Sequence, residues 1–108
     1  MELSSAMTAL GALAQASRLE LFRILVQAGP DGIAARDLAA RLGIPANTLS
    51  FHLKTLSHAG LIDARPQGRF IFYSANYERM NGLVAFLTEN CCGGASCAPS
   101  PSARRRRA

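Results

Sequence analysis

Glycine and proline punctuate this 108-residue chain so regularly that they nearly dictate the lengths of its elements. Gly29-Pro30-Asp31-Gly32, Gly43-Ile44-Pro45, Gly60 and Pro66-Gln67-Gly68 cut it into short stretches. Glycine ends helices because it takes left-handed backbone with no Cβ clash. Proline suits a helix start, where its missing N–H would have no partner anyway. No stretch between these breaks is long, so apolar periodicity has to tell helix from strand.

That periodicity predicts five helices and one hairpin. Leu3, Met7, Leu10 and Ala14 recur at helical spacing, and Gly11 weakens the middle of that helix. Ser17-Arg18-Leu19-Glu20 fits a capping box, so the second helix is expected to start at Ser17. Its run from Leu19 to Val26 is apolar nearly all round, which predicts a central, buried helix. A third helix is expected over 34–42, with Leu38 and Leu42 inward and Gly43 just past its end. Pro45 then opens a fourth helix that runs to about Ala59, with Leu49, His52, Leu53 and Leu56 on one face. Two helices joined across Gly43 to Ala46 make a helix-turn-helix.

Residues 61–65 and 69–74 read as strands, with Phe70 and Phe72 on one side, Ile71 and Tyr73 on the other, and Pro66-Gln67-Gly68 as the turn. A hairpin in this place is a wing. The last helix is expected over about 77–90, with Met80, Leu83, Val84 and Leu87 in a stripe. The fold class is mainly α with a small β-hairpin, a winged helix-turn-helix: four helices, two strands, a fifth helix. Residues 1–90 would form the DNA-binding and dimerisation domain, 91–97 a thiolate segment, and 98–108 a disordered basic tail. A compact body cannot cover the apolar stripes of both the first and last helices. Packing against a second copy is the economical solution, so a homodimer is expected.

Composition narrows the class. The apolar fraction of 49% suits a globular chain and not a disordered one. No apolar run approaches the roughly 18–20 residues of a membrane span. No signal peptide is evident, which favours the cytosol, where thiols stay reduced. Of twelve basic groups, Arg104–Arg107 hold four, so the first 103 residues carry eight against seven acidic ones. Residues 32–75 hold five basic and two acidic groups, and this middle is the part expected to meet phosphate. The imbalance is too small to decide anything alone.

On the fourth helix, Asn47, Thr48, Ser50, Phe51 and Lys54 lie opposite the leucines. Asn and Ser can hydrogen-bond base edges, and a ring can touch a thymine methyl. Lys54 can reach phosphate, as can Arg65, Gln67 and Arg69 on the wing. His52, on the apolar face, reads as a packed histidine bonded to backbone. Ser50 and His52 are two apart on a helix, so they face apart and cannot pair as nucleophile and base. No catalytic constellation appears elsewhere, so an enzyme is not expected.

All three cysteines, Cys91, Cys92 and Cys97, stand at the end of the last helix. Their odd number argues against a disulfide scaffold, and adjacent cysteines bridge only with strain. Three thiols around the Gly93-Gly94 hinge can converge on one soft ion. Three unbound thiols, or a thiol redox sensor, are the other readings of the same residues.

The run from Leu49 to Ile62, LSFHLKTLSHAGLI, resembles the recognition-helix signature of the ArsR/SmtB winged-helix repressors. Ser17 to Leu25 is similar to the family's second helix, and Gly68-Arg69 with Tyr73 to its wing. The resemblance covers about residues 3–90. It implies a homodimer that represses a resistance operon on double-stranded operator DNA and is released by a metal or metalloid. One arsenic-sensing pattern of the family has Cys-x-Cys where this chain has Ala34 and Arg36. The zinc-sensing pattern on the last helix needs histidines that are not there. The remaining match is to arsenic repressors whose Cys-Cys pair and third Cys follow the last helix, here Cys91, Cys92 and Cys97. The resemblance therefore implies As(III) or Sb(III) as an effector held by three thiolates, with no resident cofactor. Another thiophilic metal, or thiol oxidation, is the alternative signal.

Overall fold

The computed structural model describes residues 1–94. Cys97 and the arginines 104–107 lie outside that range, as do the last three residues of the expected thiolate segment and all of the expected tail. The order is α1 (Leu3–Leu13), α2 (Ala16–Ala28), β1 (Ile33–Ala34), α3 (Ala35–Leu42), α4 (Ala46–His58), β2 (Ile62–Gln67), β3 (Phe70–Ala75) and α5 (Tyr77–Leu87). The expected winged helix-turn-helix is present, with α3 and α4 as its helical pair and β2–β3 as its wing.

α2 is the centre. It packs against α1, α3, α4 and β3, and Leu21, Phe22 and Leu25 are buried. Leu19 is an exception to the expected all-round burial, at 45% exposed. The helix begins at Ala16 rather than Ser17, and the Ser17–Glu20 capping box does not form. Gln15 is extended instead, and its Oε1 accepts the Arg18 backbone N–H at 2.8 Å. That satisfies the orphan donor that Ser17, already inside the helix, cannot reach. At the other end the Tyr77 hydroxyl of α5 donates to the Val26 carbonyl at 2.8 Å, which has no partner within α2.

α1 presents its small residues to the body. Ala6, Ala9 and Ala12 are buried, while Leu3, Met7 and Leu10 face outward. On α5 only Leu83 is buried and Met80 packs at the core's edge, while Val84 and Leu87 are exposed. The stripe of α1 is left uncovered by one subunit, whereas that of α5 is split, with Leu83 and Met80 toward the body and Val84 and Leu87 outward.

Two turns set the helix-turn-helix. Gly43 takes left-handed backbone (φ 65°), and its N–H closes on the Ala39 carbonyl at 2.9 Å. Pro45 was expected inside the first turn of the fourth helix, but it is extended and stands one residue ahead of it. Gly60 (φ 75°) ends the α4 segment, and the Leu61 N–H returns to the Leu56 carbonyl at 3.1 Å.

The sheet has three strands, in the order β1-β3-β2, all antiparallel. β1 was not foreseen, because two residues carry no periodicity. The turn is Gly68-Arg69, with Gln67 opposite Phe70, so Pro66 lies in a strand and not in the turn as expected. β2 is an edge strand, and an edge tolerates a residue that lacks an N–H. α5 also ends earlier than expected, at Leu87 instead of about Asn90. The Thr88 backbone N–H closes on the Val84 carbonyl at 3.1 Å, and the Thr88 hydroxyl donates to the same carbonyl at 2.9 Å.

Gly32 and Gly43 predict different penalties. Both are left-handed, but a Cβ at Gly43 meets open space, whereas one at Gly32 would collide with the Tyr73 carbonyl of β3. Gly43→Ala should destabilise by about 1–2 kcal/mol, the left-handed penalty alone. Gly32→Ala should add about 1–3 kcal/mol for the overlap, read from urea unfolding at fixed protein concentration. Equal losses would contradict the close β1–β3 approach.

Candidate nucleic-acid interface and thiol segment

The leucine spacing of α4 decides which side chains face water. Leu49, His52, Leu53 and Leu56 are buried on the inner side. Asn47, Thr48, Ser50, Phe51 and Lys54 are all exposed, and Phe51 remains 62% exposed. A ring that size at an outward position of a polar face is unusual for a solvated helix and suits contact with bases. The Asn47 Oδ1 accepts the Thr48 backbone N–H at 3.0 Å, which holds the Asn47 side chain at the start of the helix. No side chain caps α4 from Pro45. Short residues at its N-terminal end therefore leave the backbone approachable.

The wing is fastened before any partner arrives. The Arg65 guanidinium donates to the Asp31 carbonyl at 2.9 Å and stands 5.5 Å from the centre of the Phe72 ring. Arg36, on α3, lies 5.0 Å from the centre of the Phe70 ring. Cation–π contacts of this kind are worth about 0.5–1 kcal/mol at exposed sites. The Arg36 contact ties the hairpin to α3, and the Arg65 hydrogen bond ties it to the loop before β1. Of the three wing residues expected at phosphate, Gln67 and Arg69 are exposed at the tip. Arg65, though exposed, is already committed to the Asp31 carbonyl. Arg36 was not singled out from the sequence; its role depends on Phe70, 34 positions away, and no local signal marks it.

His52 is 8% exposed. Its expected backbone partner is replaced by a side chain: the Arg18 guanidinium, with NH1 3.5 Å from Nδ1.

At the far end of the molecule the chain leaves α5 through a tight turn, Cys91–Gly94. Asn90, Cys92, Gly93 and Gly94 all have positive φ (55°, 56°, 68° and 95°), so the path bends sharply away from the helix axis. The Gly93-Gly94 hinge foreseen in the sequence is part of this bend. Cys91 is half-buried and Cys92 exposed. Among the described residues no three His, Cys, Asp or Glu side chains gather, and the third thiol of the expected trio lies outside them.

With this geometry the chain can be placed among known proteins. A helix-turn-helix domain family model matches residues 13–65. The chain is 37% identical over 81 residues to the arsenical resistance operon repressor of Bacillus subtilis, covering 75% of itself and 73% of that protein. An ArsR-like transcriptional regulator from Rhodococcus sp. RHA1 superposes with a TM-score of 0.69 at 27% identity, over 78% of this chain and 76% of the other. The chain belongs to the ArsR/SmtB family. The homodimeric winged helix-turn-helix domain Mb0332 of Mycobacterium bovis is also similar, with a TM-score of 0.65 at 25% identity over 90% of each chain. This ArsR-family chain is a DNA-binding transcriptional repressor and not an enzyme. None of its described helices is long and apolar enough to cross a membrane.

The exposed face of α4 predicts a selective loss. Ser50→Glu puts an acid on the exposed face of α4, the candidate surface for the duplex. It should weaken binding to a DNA duplex selected by the wild-type protein at least about 100-fold, the sum of a lost base contact and phosphate repulsion. Fluorescence anisotropy at fixed salt reads this, with an unchanged circular dichroism spectrum as control. Undiminished binding would remove α4 from the interface.

Proposed function

We propose that this chain is an arsenite- and antimonite-responsive repressor, which binds operator DNA as a homodimer and lets go when the metalloid is held by Cys91, Cys92 and Cys97. The observation that carries the reading is the vicinal thiol pair inside the left-handed turn at the end of α5. Thiolates select soft, thiophilic ions. As(III) takes three sulfurs in a pyramid with its lone pair at the apex, and each thiol that binds displaces one hydroxide of arsenous acid as water. Structural zinc usually takes four ligands, and the cysteines number three. The name of the Bacillus subtilis relative, an arsenical resistance operon repressor, supports the same reading.

The dimer follows from uncovered apolar surface. Leu3, Met7 and Leu10 of α1 and Val84 and Leu87 of α5 are all exposed, between 41% and 65%. The two helices touch within the subunit, so the patches adjoin. A second copy related by a two-fold axis would bury them against themselves. It would also set two α4 helices at successive major grooves, about one turn of DNA apart. α5 then links the thiols to the interface. Closing three sulfurs around an ion rearranges the end of α5, changes how the subunits meet, and alters the spacing of the two α4 helices. The ion releases DNA only as far as it prefers the released arrangement, and a coupling of about 1–3 kcal/mol is the usual scale.

Two outcomes test this. Cys91→Ser, Cys92→Ser and Cys97→Ser should each keep DNA binding and lose release by arsenite, titrated with reductant present alongside antimonite, zinc and cadmium. Release of the wild type by zinc or by oxidant alone, with arsenite inert, would transfer the role to the alternative signals. Leu10→Asp should shift sedimentation from dimer to monomer at micromolar concentration and weaken DNA binding with it; an unshifted dimer would place the interface elsewhere.

A further inference from the structure

The contact between Arg18 and His52 lies inside the domain, away from both the outward face of α4 and the thiols. His52 is a nearly buried polar residue among the leucines of α4, where another apolar residue would pack without a polar group to satisfy. Arg18 is held in three ways. Its backbone N–H is capped by Gln15, its Nε donates to the Ala12 carbonyl at 2.7 Å, and NH1 faces the Nδ1 of His52 at 3.5 Å. Ala12 belongs to the last turn of α1, where carbonyls lack helical partners. One guanidinium therefore joins the end of α1, the start of α2 and the inner face of α4. A guanidinium only donates, so the contact is a hydrogen bond in the tautomer whose Nδ1 carries the lone pair. The next residue, Phe51, points outward, its ring 5.8 Å from the His52 ring and edge-on to it.

We propose that Arg18 is a positioning residue for DNA binding: through His52 it fixes the roll of α4 about its own axis relative to α1. The leucines of α4 hold the helix against α2 but are non-directional, and they tolerate a small rotation. Side-chain tips stand about 5–6 Å from a helix axis, so a roll of about 20° moves them about 2 Å. That shift is enough to lose a base-edge hydrogen bond, whose distance range spans about half an ångström. The directional contact removes this freedom and leaves Asn47, Ser50 and Phe51 aimed. The proposal needs only the DNA-binding role of α4 and is independent of the thiols.

The test uses the full chain and two labelled duplexes of equal length, one selected from a random library by the wild-type protein and one unselected. His52→Leu and Arg18→Met should each weaken binding to the selected duplex about tenfold, and the double variant no more than either, because both remove the same contact. His52→Leu should change binding to the unselected duplex by less than about twofold, since that binding follows backbone charge. His52→Asn, which keeps an acceptor near the place of Nδ1, should stay within about threefold of wild type on the selected duplex. Losses that multiply in the double variant, or equal losses on both duplexes, would overturn the proposal. If Arg18→Met does not fold, the histidine pair decides alone: His52→Asn binding the selected duplex no better than His52→Leu overturns it.

Discussion

Burial against α2 holds the body together. Leu21 and Leu25 are fully buried, and α1, α3 and α4 all pack on this helix. Each such leucine is worth roughly 1.5–3 kcal/mol of burial. α5 is tied to the same helix through the Tyr77 hydroxyl on the Val26 carbonyl. The alanines of α1 let that helix lie close to the body, so Leu3, Met7 and Leu10 are left for another surface. The arrangement that gives a small chain its core thus also leaves it with unfinished apolar faces, as expected of a domain too small to be self-sufficient.

On that body the DNA-reading parts are set differently. α4 is placed by a leucine face and one directional contact, the wing by arginines lying over Phe70 and Phe72 and by Arg65 on the Asp31 carbonyl. Both candidate DNA-contacting parts are therefore oriented within the free subunit, which lowers the ordering cost of any binding they take part in. The hydrogen bonds that achieve this join residues far apart in sequence, such as Arg18 with His52 and Arg65 with Asp31.

This distinction explains what the sequence reveals. Gly43, Gly60 and Gly68 announce their turns because left-handed backbone selects glycine. The outward set on α4 is legible because helical spacing fixes a face once the leucines are assigned. Ends determined by competition are less legible. Gln15, not Ser17, caps α2; Thr88 and a left-handed Asn90 stop α5 at Leu87; an edge position admits Pro66 to a strand. The commitment of Arg65 and the partner of His52 depend on tertiary neighbours, so no local pattern carries them. For the proposed sulfur site, the sequence offers three candidate ligands and a Gly-Gly hinge, while the described residues reach Cys91 and Cys92.

The bend after α5 has an energetic consequence. Asn90 and Cys92 are held left-handed without glycine's freedom, at about 1–2 kcal/mol each. A segment poised that close to its alternatives has a low threshold: a modest pull is enough to rewind it toward the helix or draw it further out. The strain thus sits in the few residues just past α5, outside the leucine-packed interior, like a fuse wired to a stiff frame.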